Sequence, residues 1–269
     1  MKKTGNIYEI STAVFSSFGS ATIKINKDEY IDVKTGEVKS FNHHDKRIED
    51  IKEVARSIAR GRDLINANCD NPARIRWITL TYAENMTDPV RLYKDFERFV
   101  KRCRRRWGHF EYITCAEPQR RGAWHLHCIF IFDGEAPFMA NNEVADKWGQ
   151  GFVSVKAVDN CDNLGAYLSA YLGNAVIDYR EGDEHCYQII ELDGQKKSVI
   201  KGARMHYYPA QFHIFRHSKG IKEPEISYTS YEQAKKMVCS AKQTFTKETV
   251  IDTDDFSTVI QYEYYNTVR

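Results

Sequence analysis

The chain has 269 residues, 42% of them hydrophobic and 28% charged, with a formal net charge of +2. This composition fits a globular protein and excludes low-complexity or collagen-like chains. No apolar run approaches the roughly 20 residues of a membrane span, and the start Met1-Lys2-Lys3 lacks a signal-peptide core, so a cytoplasmic protein without a membrane partner is expected. The seven cysteines are odd in number and include no Cys-x-x-Cys pair, so reduced thiols are expected rather than a disulfide framework or a zinc knuckle.

The elements follow in chain order. Residues 1 to about 50 mix short strand-like runs with a Lys34-Thr35-Gly36-Glu37 turn, and His43-His44 read as loop residues. Ile51 to Asn68 carry helical periodicity and close an N-terminal extension over residues 1–69. The main domain, residues 70–225, opens with a strand over 76–82. An amphipathic helix over 89–106 follows, with Leu92, Tyr93, Phe96, Phe99 and Val100 on one stripe. Its other side gathers Arg98, Lys101, Arg102, Arg104, Arg105 and Arg106, fit either for solvent or for the phosphates of a nucleic acid.

Strands over 110–117 and 123–132 flank a turn, Pro118-Gln119-Arg120-Arg121-Gly122. Strand side chains alternate faces, so His125 and His127 project together while Trp124, Leu126 and Cys128 point the other way. Taken alone, the pair fits either hydrogen-bonded surface histidines or metal ligands. In an antiparallel hairpin turning near Arg121, Glu117 falls opposite His125 and Cys115 opposite His127. That register predicts a two-His, one-carboxylate site suited to Mn²⁺ or Mg²⁺, with Zn²⁺ a less favoured occupant. Cys115 is either an extra ligand or a small buried apolar residue. Arg120 and Arg121 are placed to reach a strand at such a site, or are plain turn residues.

A helix is expected over 141–148, a strand over 151–158 and a second amphipathic helix over 162–173. The last carries Tyr167 and Tyr171 at i and i+4, either as core packing or as phenols able to attack a phosphodiester. A late strand is expected near 211–216. The C-terminal extension, 226–269, contains a helix from Tyr231 to Ala241 and an acidic tail from Asp252 to Glu263. Antiparallel strands with helices on one face make this an α+β chain.

Together these motifs resemble the HUH endonucleases, specifically the rolling-circle replication initiators of plasmids and single-stranded DNA phages. The resemblance rests on Trp77-Ile78-Thr79-Leu80-Thr81-Tyr82, on the block from Glu117 to His127, and on Trp148-Gly149-Gln150-Gly151-Phe152-Val153. It also rests on the Tyr-x-x-x-Tyr helix and on Phe215-Arg216-His217-Ser218-Lys219-Gly220-Ile221-Lys222, and covers roughly residues 55 to 225. It implies a ferredoxin-like, RRM-like antiparallel sheet flanked by helices. It further implies a divalent ion on Glu117, His125 and His127, and attack by Tyr167 or Tyr171 on one strand of origin DNA. The products would be a 5′-phosphotyrosine and a free 3′-hydroxyl.

Members with paired tyrosines commonly carry Lys three residues after each Tyr, but here those positions are Ala170 and Asn174. Lys156, Lys201 and Lys219 are candidates to supply the charge. No Gly-rich phosphate loop with Lys-Ser/Thr is present, so a host helicase and polymerase are expected partners. Three rival readings share these features: an HUH transposase or relaxase, a non-catalytic DNA-binding regulator of replication, and a metallohydrolase of small phosphodiesters.

Overall fold

The computed structural model describes residues 1–13, 22–41, 51–119, 121–159, 164–165, 175–178, 188–192, 195–200, 207–209, 212–253 and 256–268. They form two compact units, one of residues 1–2, 8–45 and 226–269, the other of 3–7 and 46–225. In chain order the strands before the first helix are β1 (Lys2–Thr4), β2 (Ile7–Ala13), β3 (Thr22–Lys24), β4 (Glu29–Asp32) and β5 (Val38–Ser40). The larger unit then runs α1 (Ile51–Asn68), β6 (Ile75–Thr81), α2 (Pro89–Trp107), β7 (Glu111–Pro118), β8 (Trp124–Ile131), α3 (Asn141–Trp148) and β9 (Val153–Ala157). It continues with β10 (Ala175–Asp178), β11 (Gln188–Leu192), β12 (Gln195–Ile200) and β13 (Phe215–His217). β14 (Glu225–Ile226), α4 (Tyr231–Met237), β15 (Lys242–Thr253) and β16 (Phe256–Asn266) complete the chain.

The central sheet has the order β13-β7-β8-β6-β9 and every pairing in it is antiparallel. The fold is therefore α+β. The pleat divides its residues between two faces. One face carries Ile78, Leu80, Leu126, Cys128 and Phe130, all 0% exposed, and is packed by α2 and α3. Phe99 of α2 lies against Phe130 and Trp148, and Phe96 meets Tyr112 edge-on. α2 forms where Asp88 accepts hydrogen bonds from the Val90 and Arg91 N–H groups and Pro89 opens the first turn; it stops at Gly108, with φ of 84°.

The sequence pattern predicts helices on one face alone, but α1 covers part of the other. Ile113, Ile129 and Ile131 point to that second face, and each is at most 8% exposed, so an apolar cover is required. α1 supplies it, approaching so closely that a Cβ on Gly61 would stand 2.5 Å from the Phe215 ring.

The C-terminal segment also departs from expectation. The helix from Tyr231 ends at Met237, and the acidic tail is one arm of a long hairpin. β15 and β16 pair through Thr249↔Ile260 and Val250↔Val259, and the hairpin joins the sheet β14-β1-β2-β16-β15. Alternating Thr, Val, Ile and Tyr favour the strand, and they outweigh the scattered carboxylates. Glu263, 5% exposed, accepts hydrogen bonds from the Tyr231 hydroxyl at 2.8 Å and the Lys235 ammonium at 3.1 Å, and is bonded by Tyr265. Among the described residues no helix is long and apolar enough to cross a membrane.

Candidate metal centre

β7 and β8 pair in the expected register: Glu117 lies opposite His125 and Cys115 opposite His127. The turn between them is closed by Gly122 N–H donating to the Gln119 carbonyl at 2.8 Å and Gln119 N–H donating to the Ala123 carbonyl at 2.7 Å. Gly122 takes a φ of 89°, in the left-handed region that a Cβ disfavours. This turn fixes the register, and a slip of one residue would turn Glu117 to the far face.

Three side-chain atoms converge as a result. Glu117 Oε2 stands 3.0 Å from His125 Nε2 and 3.2 Å from His127 Nε2, and the two Nε2 atoms are 3.0 Å apart. The imidazole planes are nearly perpendicular, at 88°. Glu117 is 7% exposed, so its carboxylate gives up most of its hydration and must be matched by positive charge or donors. This cluster of potential ligand atoms fits a cation: adjacent ligands of an octahedral ion with bonds of ~2.1 Å stand ~3.0 Å apart. Two unprotonated imidazole nitrogens this close would repel each other without a shared proton or cation between them.

His127 has a partner on the neighbouring strand. Its Nδ1 lies 3.3 Å from the Thr79 hydroxyl, and Thr79 is its cross-strand neighbour on β6. With Nδ1–H donating to that hydroxyl, the Nε2 lone pair is left facing Glu117 and His125, as a metal ligand requires. Trp77 meets the His127 ring edge-on at 6.0 Å. In the sequence Thr79 is one residue of a strand motif with no role of its own; its register against β8 reveals one.

Cys115 is fully buried, and burial, with the Glu117 carboxylate adding to it, pushes its thiol well above the ordinary range. This fits the apolar reading, and the cysteine is not among the converging atoms. Cys103, Cys128 and Cys239 are free thiols.

The tyrosine segment touches the described structure at its start. Tyr167 and Tyr171 lie outside the described residues, as do Arg120 and Lys201. Leu164 and Gly165 are helical. The Gly165 N–H donates to Asn66 Oδ1 of α1 at 2.9 Å, and a Cβ on Gly165 would come within 2.4 Å of the Arg62 carbonyl oxygen. Thus α1, which covers the triad's face of the sheet, also receives the first turn leading to the two tyrosines.

The basic candidates are spread out. α2 packs on the face opposite the triad, and several of its cations have structural partners. Arg98 pairs with Asp95 at 3.0 Å, and Arg102 donates to the Lys147 carbonyl at 2.9 Å. Arg104 donates to the Phe110 carbonyl at 2.7 Å, and Arg106 pairs with Glu143. Lys101 and Arg105 are exposed. Arg121 ties the hairpin turn to the segment after β6, donating to the Tyr82 carbonyl at 2.9 Å. Lys219 follows β13 next to Gly220, whose N–H donates to Glu111. That is the opposite end of β7 from Glu117, ~20 Å away at ~3.4 Å per strand residue. Lys156 lies on the triad's face, in register with Trp77.

An antiparallel α+β sheet bearing a Glu-His-His cluster defines a protein built to hold a divalent ion on a sheet face. Residues 75–175, from the start of β6 to the start of β10, match a family model of replication-associated proteins, the ORF2 family. The match supports a Rep-type replication protein, and such a family implies interaction with DNA. No curated protein and no solved structure gives a match.

Proposed function

We propose that the chain is a rolling-circle replication initiator that nicks and rejoins one DNA strand through a tyrosine–phosphate bond. The observation that carries this reading is the convergence of Glu117, His125 and His127 within 3.2 Å, inside the segment that matches the replication family. Glu117 and the two imidazoles would hold Mn²⁺ or Mg²⁺ ahead of Zn²⁺, because their ~3.0 Å spacing suits six-coordinate geometry. When bound, the ion supplies Lewis-acid polarisation of the scissile phosphate.

The chain's own groups do the rest. Thr79 fixes the His127 ring, and Asn66 anchors the first turn of the tyrosine segment beside the same sheet face. A phenol of that segment loses its proton, and its oxygen bonds to phosphorus. The bond from phosphorus to the 3′-oxygen breaks, and that oxygen takes up a proton. The products are a 5′-phosphotyrosine and a 3′-hydroxyl able to prime synthesis. Tyr167 is assigned the first attack and Tyr171 the strand transfer that ends a round. A host helicase and polymerase would complete the replication system.

Incubation with Mn²⁺ and a single-stranded origin oligonucleotide should give a covalent protein–DNA adduct. The adduct should be lost in the Tyr167→Phe/Tyr171→Phe double variant. An adduct that persists in the double variant contradicts the assignment of the nucleophiles. No adduct with any divalent ion, while tight DNA binding remains, favours the DNA-binding regulator.

A further inference from the structure

The cross-strand register extends the triad into a row. Glu117 lies opposite His125 and His125 opposite Thr81. Next to Thr81 comes Phe152, whose carbonyl oxygen accepts from the Thr81 N–H at 3.0 Å and from the Thr81 hydroxyl at 2.9 Å. The pleat that buries Val153 beside Leu80 on the α2 side turns Phe152 toward the triad's face. There its ring is 70% exposed, which is unusual for phenylalanine in a sheet. It stands two strands from His125, ~10 Å at ~4.8 Å per strand.

The backbone beneath the ring is closely held. A Cβ on Gly151 would lie 2.6 Å from both the Ala83 nitrogen and the Thr81 carbonyl oxygen, so glycine lets the chain press onto the end of β6. The Gln150 carbonyl accepts from the Ala83 N–H at 2.9 Å, and the Trp148 indole donates to the Thr81 carbonyl at 2.7 Å. Phe152 is therefore a fixed apolar plate kept in water, and it gains by being covered. Two and four residues further along β9, Ser154 and the exposed Lys156 share its face. At ~3.3 Å per residue, the Lys156 position is ~13 Å from the Phe152 position. On the other edge of the sheet α1 presses on Phe215, so the β9 edge is the side with an uncovered aromatic.

We infer that Phe152 and Lys156 form a single-strand binding strip along β9, in which a nucleobase flanking the triad stacks on Phe152 and a backbone phosphate pairs with Lys156. The inference rests on the nicking reading for its ligand, single-stranded DNA. Stacking on an aromatic plate is tolerant of base identity, because every base has a π-face. The strip therefore supplies grip and position near the triad and leaves sequence choice to other residues.

Binding of a fluorescein-labelled oligo(dT) strand, followed by anisotropy in EDTA, separates this strip from the nicking chemistry. Phe152→Ala should weaken binding ~10–100-fold, while Phe152→Tyr stays close to the unsubstituted protein. Phe152→Trp should bind well and lose indole fluorescence as the strand is added. Lys156→Ala should weaken binding and reduce the salt slope by about one unit. His127→Ala, which lies outside the strip, should leave the affinity unchanged. Phe152→Leu binding as tightly as the unsubstituted protein would overturn the stacking role, and so would Phe152→Ala. Failure of the unsubstituted protein to bind any single strand would overturn both the strip and the DNA reading. The predicted binding pattern without any adduct would sink the nicking reading and leave the strip standing.

Discussion

The two faces of the central sheet are made by the same five strands and do opposite work. The α2 face is closed: Leu80, Leu126, Cys128 and Phe130 are 0% exposed, and its polar neighbours are bonded to one another. The buried Tyr82 hydroxyl donates to Asp95 at 3.1 Å, and burial, with the Asp95 carboxylate adding to it, pushes that phenol above its ordinary range. The other face keeps a buried carboxylate against two imidazoles and an uncovered phenylalanine. Alternation with period two lets one strand anchor the fold with Leu126 and Cys128 while presenting His125 and His127. Chemistry and stability are thus assigned to different residues of β8, and substitutions should separate them.

The largest separation is expected at the triad. Glu117→Ala, or chelation by EDTA, should reduce adduct formation by ~10³-fold or more, since Lewis-acid stabilisation of the reacting phosphate is worth several kcal/mol. A quenched-flow or gel assay of the adduct reads this directly. On the far face, Phe130→Ala should cost ~3–5 kcal/mol of stability in a denaturant titration, because it removes a stacked ring from a closed core. Where that variant remains folded, its divalent-ion affinity should be unchanged, and a parallel loss of both would erase the distinction between the faces.

A smaller effect is expected at Thr79→Val, which keeps the shape of the side chain and removes the oxygen facing His127 Nδ1. It should weaken metal affinity or activity ~10–100-fold, the usual scale for a residue that orients a ligand. Unchanged affinity would mean that the His127 ring is set by packing against Trp77 alone. Smallest is a difference in thiol labelling. Burial holds the Cys128 thiol up at about 12 and raises Cys115 and Cys103 as well, so these should resist alkylation at neutral pH while exposed Cys239 reacts. Mass spectrometry of labelled peptides reads the pattern.

What the sequence made legible follows from the range of the interactions. The register that joins Glu117 to His125 is set by a five-residue turn and a period-two pattern, both local, and the structure has the same register. α2 announces itself through Asp88, Pro89 and its apolar stripe. The partner of His127 was not legible, because Thr79 is 48 residues away and meets it through strand pairing. Nor was the position of α1 legible, since an amphipathic stripe requires a cover without naming the surface. The C-terminal hairpin was hidden by its carboxylates, one of which, Glu263, is buried and hydrogen-bonded.

The central claim is that one face of the sheet holds a divalent ion on Glu117, His125 and His127. Titration of the metal-free protein with Mn²⁺, followed by electron paramagnetic resonance, tests it most directly. The account predicts one bound ion per chain in the unsubstituted protein and none at the same concentrations in the Glu117→Ala/His125→Ala/His127→Ala variant, with both proteins folded. Equal binding by the two proteins would contradict it.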